Sequence, residues 1–203
     1  MKNQELKKRI IAETRSLLQS RKTVTIKDIA EKCYINIASV NYHFGSKDTL
    51  IQLVATEVIE ELKERITDIL KANKDKPKVE LIEEMIKFTY SYALENIGLL
   101  YYLFINQDAQ QSSSNLLIDT FFTDNAFTRM IFNEIKLANA NQDKTTIFAR
   151  YMIMFSSFCM PLFISITNQD SDSQIETFKD EAFTSVFIKE LLRIIDTNDE
   201  VKS

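Results

Sequence analysis

The sequence predicts an all-α protein, and three observations predict it. Glycine and proline are scarce: Gly45, Gly98, Pro77 and Pro161 are the only four in 203 residues, against usual frequencies of about 7% and about 5%. Folds made of hairpins and tight turns need many residues that tolerate positive φ. Apolar residues also recur every three or four positions along most of the chain, the period of a helix face. The composition, 45% apolar and 27% charged, is that of a globular chain long enough to bury a core.

Residues 4 to 20 set Leu6, Ile10, Leu17 and Leu18 at helical spacing between charged positions, a first amphipathic helix. Thr25 with Asp28 three residues on forms a capping-box start. It opens a short second helix to Lys32 with Ile26, Ile29 and Ala30 inward. Asn36 caps a third helix through Phe44, and Ser46 with Asp48 caps a fourth behind Gly45. Two helices of about eight residues joined by a three- or four-residue turn read as a helix-turn-helix.

The fourth helix keeps an apolar stripe (Leu50, Val54, Val58, Leu62, Ile66, Ile69) to Ala72. At 1.5 Å per residue it spans roughly 40 Å, enough to connect two domains. The polar stretch 73–78, with Pro77, is a linker. Further helices are expected at 78–95, 98–106, 115–140, 143–167 and 173–196, with the polar run 106–115 as a loop.

The net charge of −4 conceals an asymmetry. Residues 1–50 carry ten Lys/Arg and five Asp/Glu, a net +5; the other 153 carry fifteen basic and twenty-four acidic groups, a net −9. A basic segment on an acidic body is the footprint of a nucleic-acid-binding module, or simply of a solvated basic helix. Other chemistries find no support. The two glycines lie 53 positions apart, so no phosphate-cradling loop can be written. One histidine (His43) and two distant cysteines (Cys33, Cys159) give no metal-ligand spacing. No cofactor and no enzymatic activity are expected. The lone cysteines, read as small packing residues, fit a reducing, cytoplasmic setting.

The segment Thr25 to Leu50, TIKDIAEKCYINIASVNYHFGSKDTL, closely resembles the DNA-binding segment of the tetracycline-repressor (TetR) family of bacterial regulators. The resemblance includes the first helix, RIIAETRSLL, from Arg9 to Leu18. It covers about a quarter of the chain and rests on DIA, VNYHF and Lys47 after a Gly-Ser turn. The chain departs from the pattern in having Cys33-Tyr34 for Ala-Gly, Ala38 for a Gly or Pro, and Asn41 for an aromatic. The resemblance implies an N-terminal helix-turn-helix DNA-binding domain at 1–50, connected by the helix at 46–72. A C-terminal helical ligand-binding and dimerisation domain would then occupy 51–203.

In such a motif the third helix enters the major groove by its N-terminal side chains. Ile37, Ala38, Ser39 and Asn41 are therefore expected at or near base edges, Asn41 suited to adenine and Ile37 or Ala38 to a thymine methyl. Tyr42, His43 and Lys47 are implied as phosphate contacts, with Thr25 at a helix N-terminus. The alternative for Tyr42 and His43 is a packed aromatic pair in a small core.

Tyr151 to Thr167 run 17 residues without a charge. That is short for a transmembrane helix, and the run holds Pro161 and four Ser/Thr without a flanking Lys/Arg cluster. A helix apolar all round in a soluble protein is buried on two sides. With the broad apolar face of the last helix it suits a four-helix dimer interface, expected to use Phe158, Leu162, Phe183 and Phe187. Aromatic and methionine residues are dense in the same half. Most are core, yet Tyr101, Tyr102, Phe122, Met130, Phe155 and Phe158 are expected to line a pocket for a small apolar effector.

The function so predicted is a homodimeric repressor of a double-stranded DNA operator, released by an apolar effector. The alternative is a helix-turn-helix DNA-binding protein whose C-terminal domain recruits a protein partner and binds no small molecule.

Overall fold

The computed structural model describes residues 2–21, 23–105, 110–138, 142–167 and 180–195. Among them it forms ten helices and no strand. The ten are α1 (Lys2–Ser20), α2 (Ile26–Lys32), α3 (Ile37–Phe44), α4 (Lys47–Ala72), α5 (Lys78–Glu95), α6 (Ile97–Ile105), α7 (Gln110–Phe121), α8 (Ala126–Ala138), α9 (Lys144–Thr167) and α10 (Glu181–Ile195). The all-α expectation holds, and seven of the predicted helices have ends within two residues of those observed.

Two differences have physical reasons. The stretch expected as one helix over 115–140 is two, α7 and α8, broken at 122–125. Asn125 Oδ1 accepts the Thr128 N–H at 3.0 Å, while Thr128 Oγ1 accepts the Asn125 N–H at 3.1 Å. This reciprocal cap starts a new helix. The Asn125 side-chain amide also donates to the Thr120 carbonyl at 3.0 Å, closing α7. The polar run expected as a loop is helical from Gln110 onward. It holds no Gly or Pro, so its polarity does not oppose a helix. Residues 106–109 of that run lie outside the described residues, as do 173–179 of the last predicted helix.

The chain divides into two compact units: Met1–Leu62 with Glu95–Asp119, and Lys63–Leu94 with Thr120–Ser203. In the first, α1, α2, α3, the start of α4 and α6 bury Ile10, Leu18, Ile29, Val40, Leu50 and Ile51. Thr14, fully buried, satisfies its hydroxyl on the Ile10 carbonyl at 2.7 Å. Helix α6 packs on α1. Gly98 makes the approach possible, because a Cβ there would lie 2.1 Å from the Leu18 carbonyl oxygen and 2.2 Å from that of Arg21. One turn further along α6, the buried Tyr102 donates its hydroxyl to Asp48 Oδ1 at 2.8 Å, near the start of α4.

In the second unit α9 packs on both α8 and α10. Leu81, Ile82, Ile86, Ile135, Ile188 and Ile195 form its fully buried core. Length and composition alone would let Lys144–Ile164 cross a membrane. Yet Ile147, Arg150, Tyr151, Met154 and Leu162 of this helix are buried within the chain.

Candidate nucleic-acid interface

Helix α2 begins as its sequence dictates. Thr25 Oγ1 accepts the Asp28 N–H at 3.1 Å and the Asp28 carboxylate accepts the Thr25 N–H at 2.8 Å, a complete capping box. The Thr25 hydroxyl also donates to Asp28 Oδ2 at 2.6 Å. These bonds, the hydroxyl's first, hold the Asp28 carboxyl below its ordinary 3.8. The stabilisation from the box is thus present above the ordinary carboxylate range and is lost as pH falls through the depressed folded value. Thr25→Ala is expected to cost about 1 kcal/mol. It should also raise the Asp28 midpoint in an NMR titration; an unmoved midpoint would contradict the cap.

The C-terminus of α2 closes in a Schellman motif. The Tyr34 N–H donates to the Glu31 carbonyl at 3.1 Å and the Ile35 N–H to the Ala30 carbonyl at 3.0 Å. The residue between helix and exit must then turn left-handed, and Tyr34 does, at φ 53°. Asn36 Oδ1 next accepts the Ser39 N–H at 2.7 Å and starts α3. Val40 and Phe44, four apart, are buried and anchor this helix. Gly45, at φ 76°, ends it, and Ser46 Oγ accepts the Thr49 N–H at 3.1 Å to begin α4.

With Val40 and Phe44 inward, α3 leaves Ile37, Ala38, Asn41 and Tyr42 exposed. Their spacing (i, i+1, i+4, i+5) keeps them on one side of the helix. Ser39 and His43 are half-buried at its margins. Tyr42 is 81% exposed and its ring meets that of His43 edge-on, centroids 5.2 Å apart. The pair is therefore not a core. Thr25 is exposed at the N-terminus of α2, and Lys47, half-buried at that of α4, has no ion pair among the described residues. A polar and apolar face on a short anchored helix, flanked by two helix N-termini and a net positive segment, can read groove edges and hold phosphates.

Residues 10–54 match the family model described as bacterial regulatory proteins, tetR family. The DNA-binding segment of the chain is thus similar to that of the tetR family. No curated protein matches the sequence. Among solved structures, the chain is similar to a Mesorhizobium loti protein assigned to the TetR-family transcriptional regulators: TM-score 0.68 at 12% identity, covering 96% of this chain and 98% of the other. It is also similar to RolR, solved in complex with resorcinol: TM-score 0.56 at 14% identity, covering 100% of this chain and 97% of the other. At such identities these two likenesses speak for the fold.

The six residues expected around an effector separate. Tyr101 and Tyr102 belong to the unit that holds the helix-turn-helix, and the Tyr102 hydroxyl is engaged by Asp48. Phe122, Met130, Phe155 and Phe158 belong to the other unit. Phe122 and Phe155 meet edge-on at 4.6 Å between centroids, within a cluster that includes Phe121, Phe132 and Tyr151. An open groove of about 630 Å³ borders this cluster at Phe132, between α8 and the start of α9. Phe132, Ile147 and Phe148 supply its apolar walls, with Arg129, Lys136 and Lys144 among its polar lining. None of the six residues lines it. Sequence patterning marks Phe132 and Phe148 only as part of the dense aromatic stretch and does not single out the polar lining.

The expected dimer residues are also sorted. Leu162 is buried in its own unit, while Phe158, Phe183 and Phe187 are half-buried. The apolar residues α9 leaves exposed are Phe148, Met152, Ile153, Met160 and Phe163, and those of α10 are Val186 and Ile194. Cys33 is buried and Cys159 half-buried, both free. Burial, the largest cause in each, pushes both thiols above their ordinary value and away from reactive thiolate.

Proposed function

We propose that this chain is a TetR-family regulator, a cytoplasmic homodimeric repressor released from a double-stranded DNA operator by a small, largely apolar effector. The observation that carries the reading is the exposed face of α3, Ile37, Ala38, Asn41 and Tyr42, held outward by the buried Val40 and Phe44. Ile37, Ala38, Ser39 and Asn41 address bases; Thr25, Tyr42, His43 and Lys47 hold the backbone. A net +5 in the first fifty residues supplies the electrostatic attraction. Residues 1–50 act as the DNA-binding domain and 51–203 as the effector and dimer domain, joined through α4.

The affinity of the operator complex should fall with salt, each neutralised phosphate adding about −0.9 to the log–log slope. A slope near zero would sink the reading. Lys47→Ala is expected to weaken binding to all sequences alike, whereas Asn41→Ala also relaxes base preference. Comparing both variants on operator and scrambled duplex separates the two roles.

The effector reading draws support from the aromatic cluster around Phe122 and Phe155 and from the resorcinol bound by RolR. Met130 and Phe158, half-buried in the same unit, extend the lining. The chain passes between its two units within α4, at the end of α5 and at the end of α7. A ligand favouring one arrangement of these helices alters the spacing of two recognition helices, which half-sites require near 34 to 36 Å or a multiple, to order of magnitude. A hundredfold release needs about 2.7 kcal/mol of differential affinity. Resorcinol and simple phenols are the first compounds to test. A raised melting temperature with unchanged operator affinity would remove the effector from the mechanism and leave a protein-recruiting regulator.

A further inference from the structure

Tyr34 is the one non-glycine residue at positive φ among the described residues. It occupies the left-handed position that ends α2, where glycine is usual because a Cβ crowds the backbone there. An aromatic side chain at this site is a cost to folding, and no side-chain contact of Tyr34 among the described residues offsets it. At 89% its ring is the most exposed of the large apolar side chains described. It has no hydrogen-bond, ion-pair or ring partner among the described residues. The Schellman bonds that close α2 come from the backbone and would form equally well with glycine.

Strain of this kind persists where a functional site uses it. Tyr34 lies two residues before Asn36, the cap of α3, in the turn that leads into the groove-reading helix. Its side chain is about 6.5 Å long from Cα to hydroxyl by standard bond lengths and carries one donor suited to a phosphate oxygen. The remaining observation is charge: the segment that bears it is net positive, so the polymer drawn to it is a polyanion.

We propose that Tyr34 is a further DNA-contacting residue, its phenol hydroxyl donating to a backbone phosphate beside the groove that α3 enters. The proposal rests on the DNA-binding reading of this helix-turn-helix and adds to it a contact at a position where the family pattern has glycine. A phosphate contact is blind to sequence, so a duplex of arbitrary sequence serves as the probe.

The test compares the full-length wild type with Tyr34→Gly, Tyr34→Asn and Tyr34→Phe, on a mixed-sequence duplex of about 30 base pairs in about 50 mM salt, where phosphate contacts dominate. Glycine relieves the backbone and asparagine tolerates it. Both variants are expected to melt no lower than wild type and to bind about tenfold more weakly, the scale of one charge-assisted hydrogen bond. Tyr34→Phe keeps the ring and the backbone cost and should lose a similar factor. Wild-type affinity in the glycine and asparagine variants overturns the proposal. Wild-type affinity in the phenylalanine variant alone overturns the hydroxyl contact. If the wild type itself does not bind the duplex, the DNA-binding reading fails and the proposal with it, so the two failures are distinguishable.

Discussion

Gly98→Ala is expected to be among the most damaging single substitutions in this chain. The added methyl would fall 2.1 Å and 2.2 Å from two backbone carbonyl oxygens, those of Leu18 and Arg21. A flexible side chain could swing aside, but these atoms belong to the end of α1, where the Arg21 N–H still bonds to the Leu17 carbonyl at 2.9 Å. Relief therefore requires α6 to move away from α1. That movement would also draw the Tyr102 hydroxyl from Asp48 and open the unit's core around Leu99 and Leu103, both buried. Overpacking of this kind costs about 3 kcal/mol at the upper end of its usual range. For a chain of this size that lowers the melting temperature by roughly 6 to 12 °C. Tyr102→Phe, which removes one hydrogen bond and keeps the ring, should cost about 1 kcal/mol. A thermal melt in which Gly98→Ala matches wild type would show that α6 is not seated on α1.

The contrast between these contacts and the helix-turn-helix explains what could be read in advance. The caps of α2, α3 and α4 are made by Thr25 with Asp28, Asn36 with Ser39, and Ser46 with Thr49, each pair three residues apart. Interactions that local are written in the sequence, and so were the helix boundaries and the outward face of α3. The seat of α6 joins residues nearly eighty positions apart, and the bond from Tyr102 to Asp48 joins residues 54 apart. No periodicity reports such pairs. A faint signal existed in Gly98, an isolated glycine within an apolar helix, which is the mark of a close backbone approach. The division of 115–140 into α7 and α8 was hidden differently. Asn125 and Thr128 form a local cap, but the apolar period on either side of it reads continuously.

The second large effect concerns self-association. Helix α9 turns Ile147, Tyr151, Met154 and Leu162 into its own unit and leaves Met152, Ile153, Met160 and Phe163 exposed, with Met160 at 64%. On α10, Ile188, Leu191, Leu192 and Ile195 are inward and Val186 and Ile194 outward. Two adjacent helices, each apolar on both sides, are what a self-complementary interface between two copies requires, since such an interface resembles a domain core cut in half. Met160→Glu and Phe163→Glu should therefore dissociate the proposed dimer while leaving each subunit folded, because both residues are exposed in the single chain. Leu162→Glu, one position away and buried, should unfold the subunit instead. An unpaired buried carboxylate costs about 3 kcal/mol or more, and a twofold interface buries two, so the dissociation constant should rise by about four orders of magnitude. Sedimentation at micromolar concentration is expected to show a dimeric wild type and monomeric, cooperatively melting Met160→Glu and Phe163→Glu variants. With one recognition helix per particle, those variants should also lose most of their affinity for a two-half-site operator while keeping the weak, salt-dependent affinity for any duplex. A monomeric wild type, or a wild type recovered with the membrane fraction, would overturn this assignment of the α9 and α10 face.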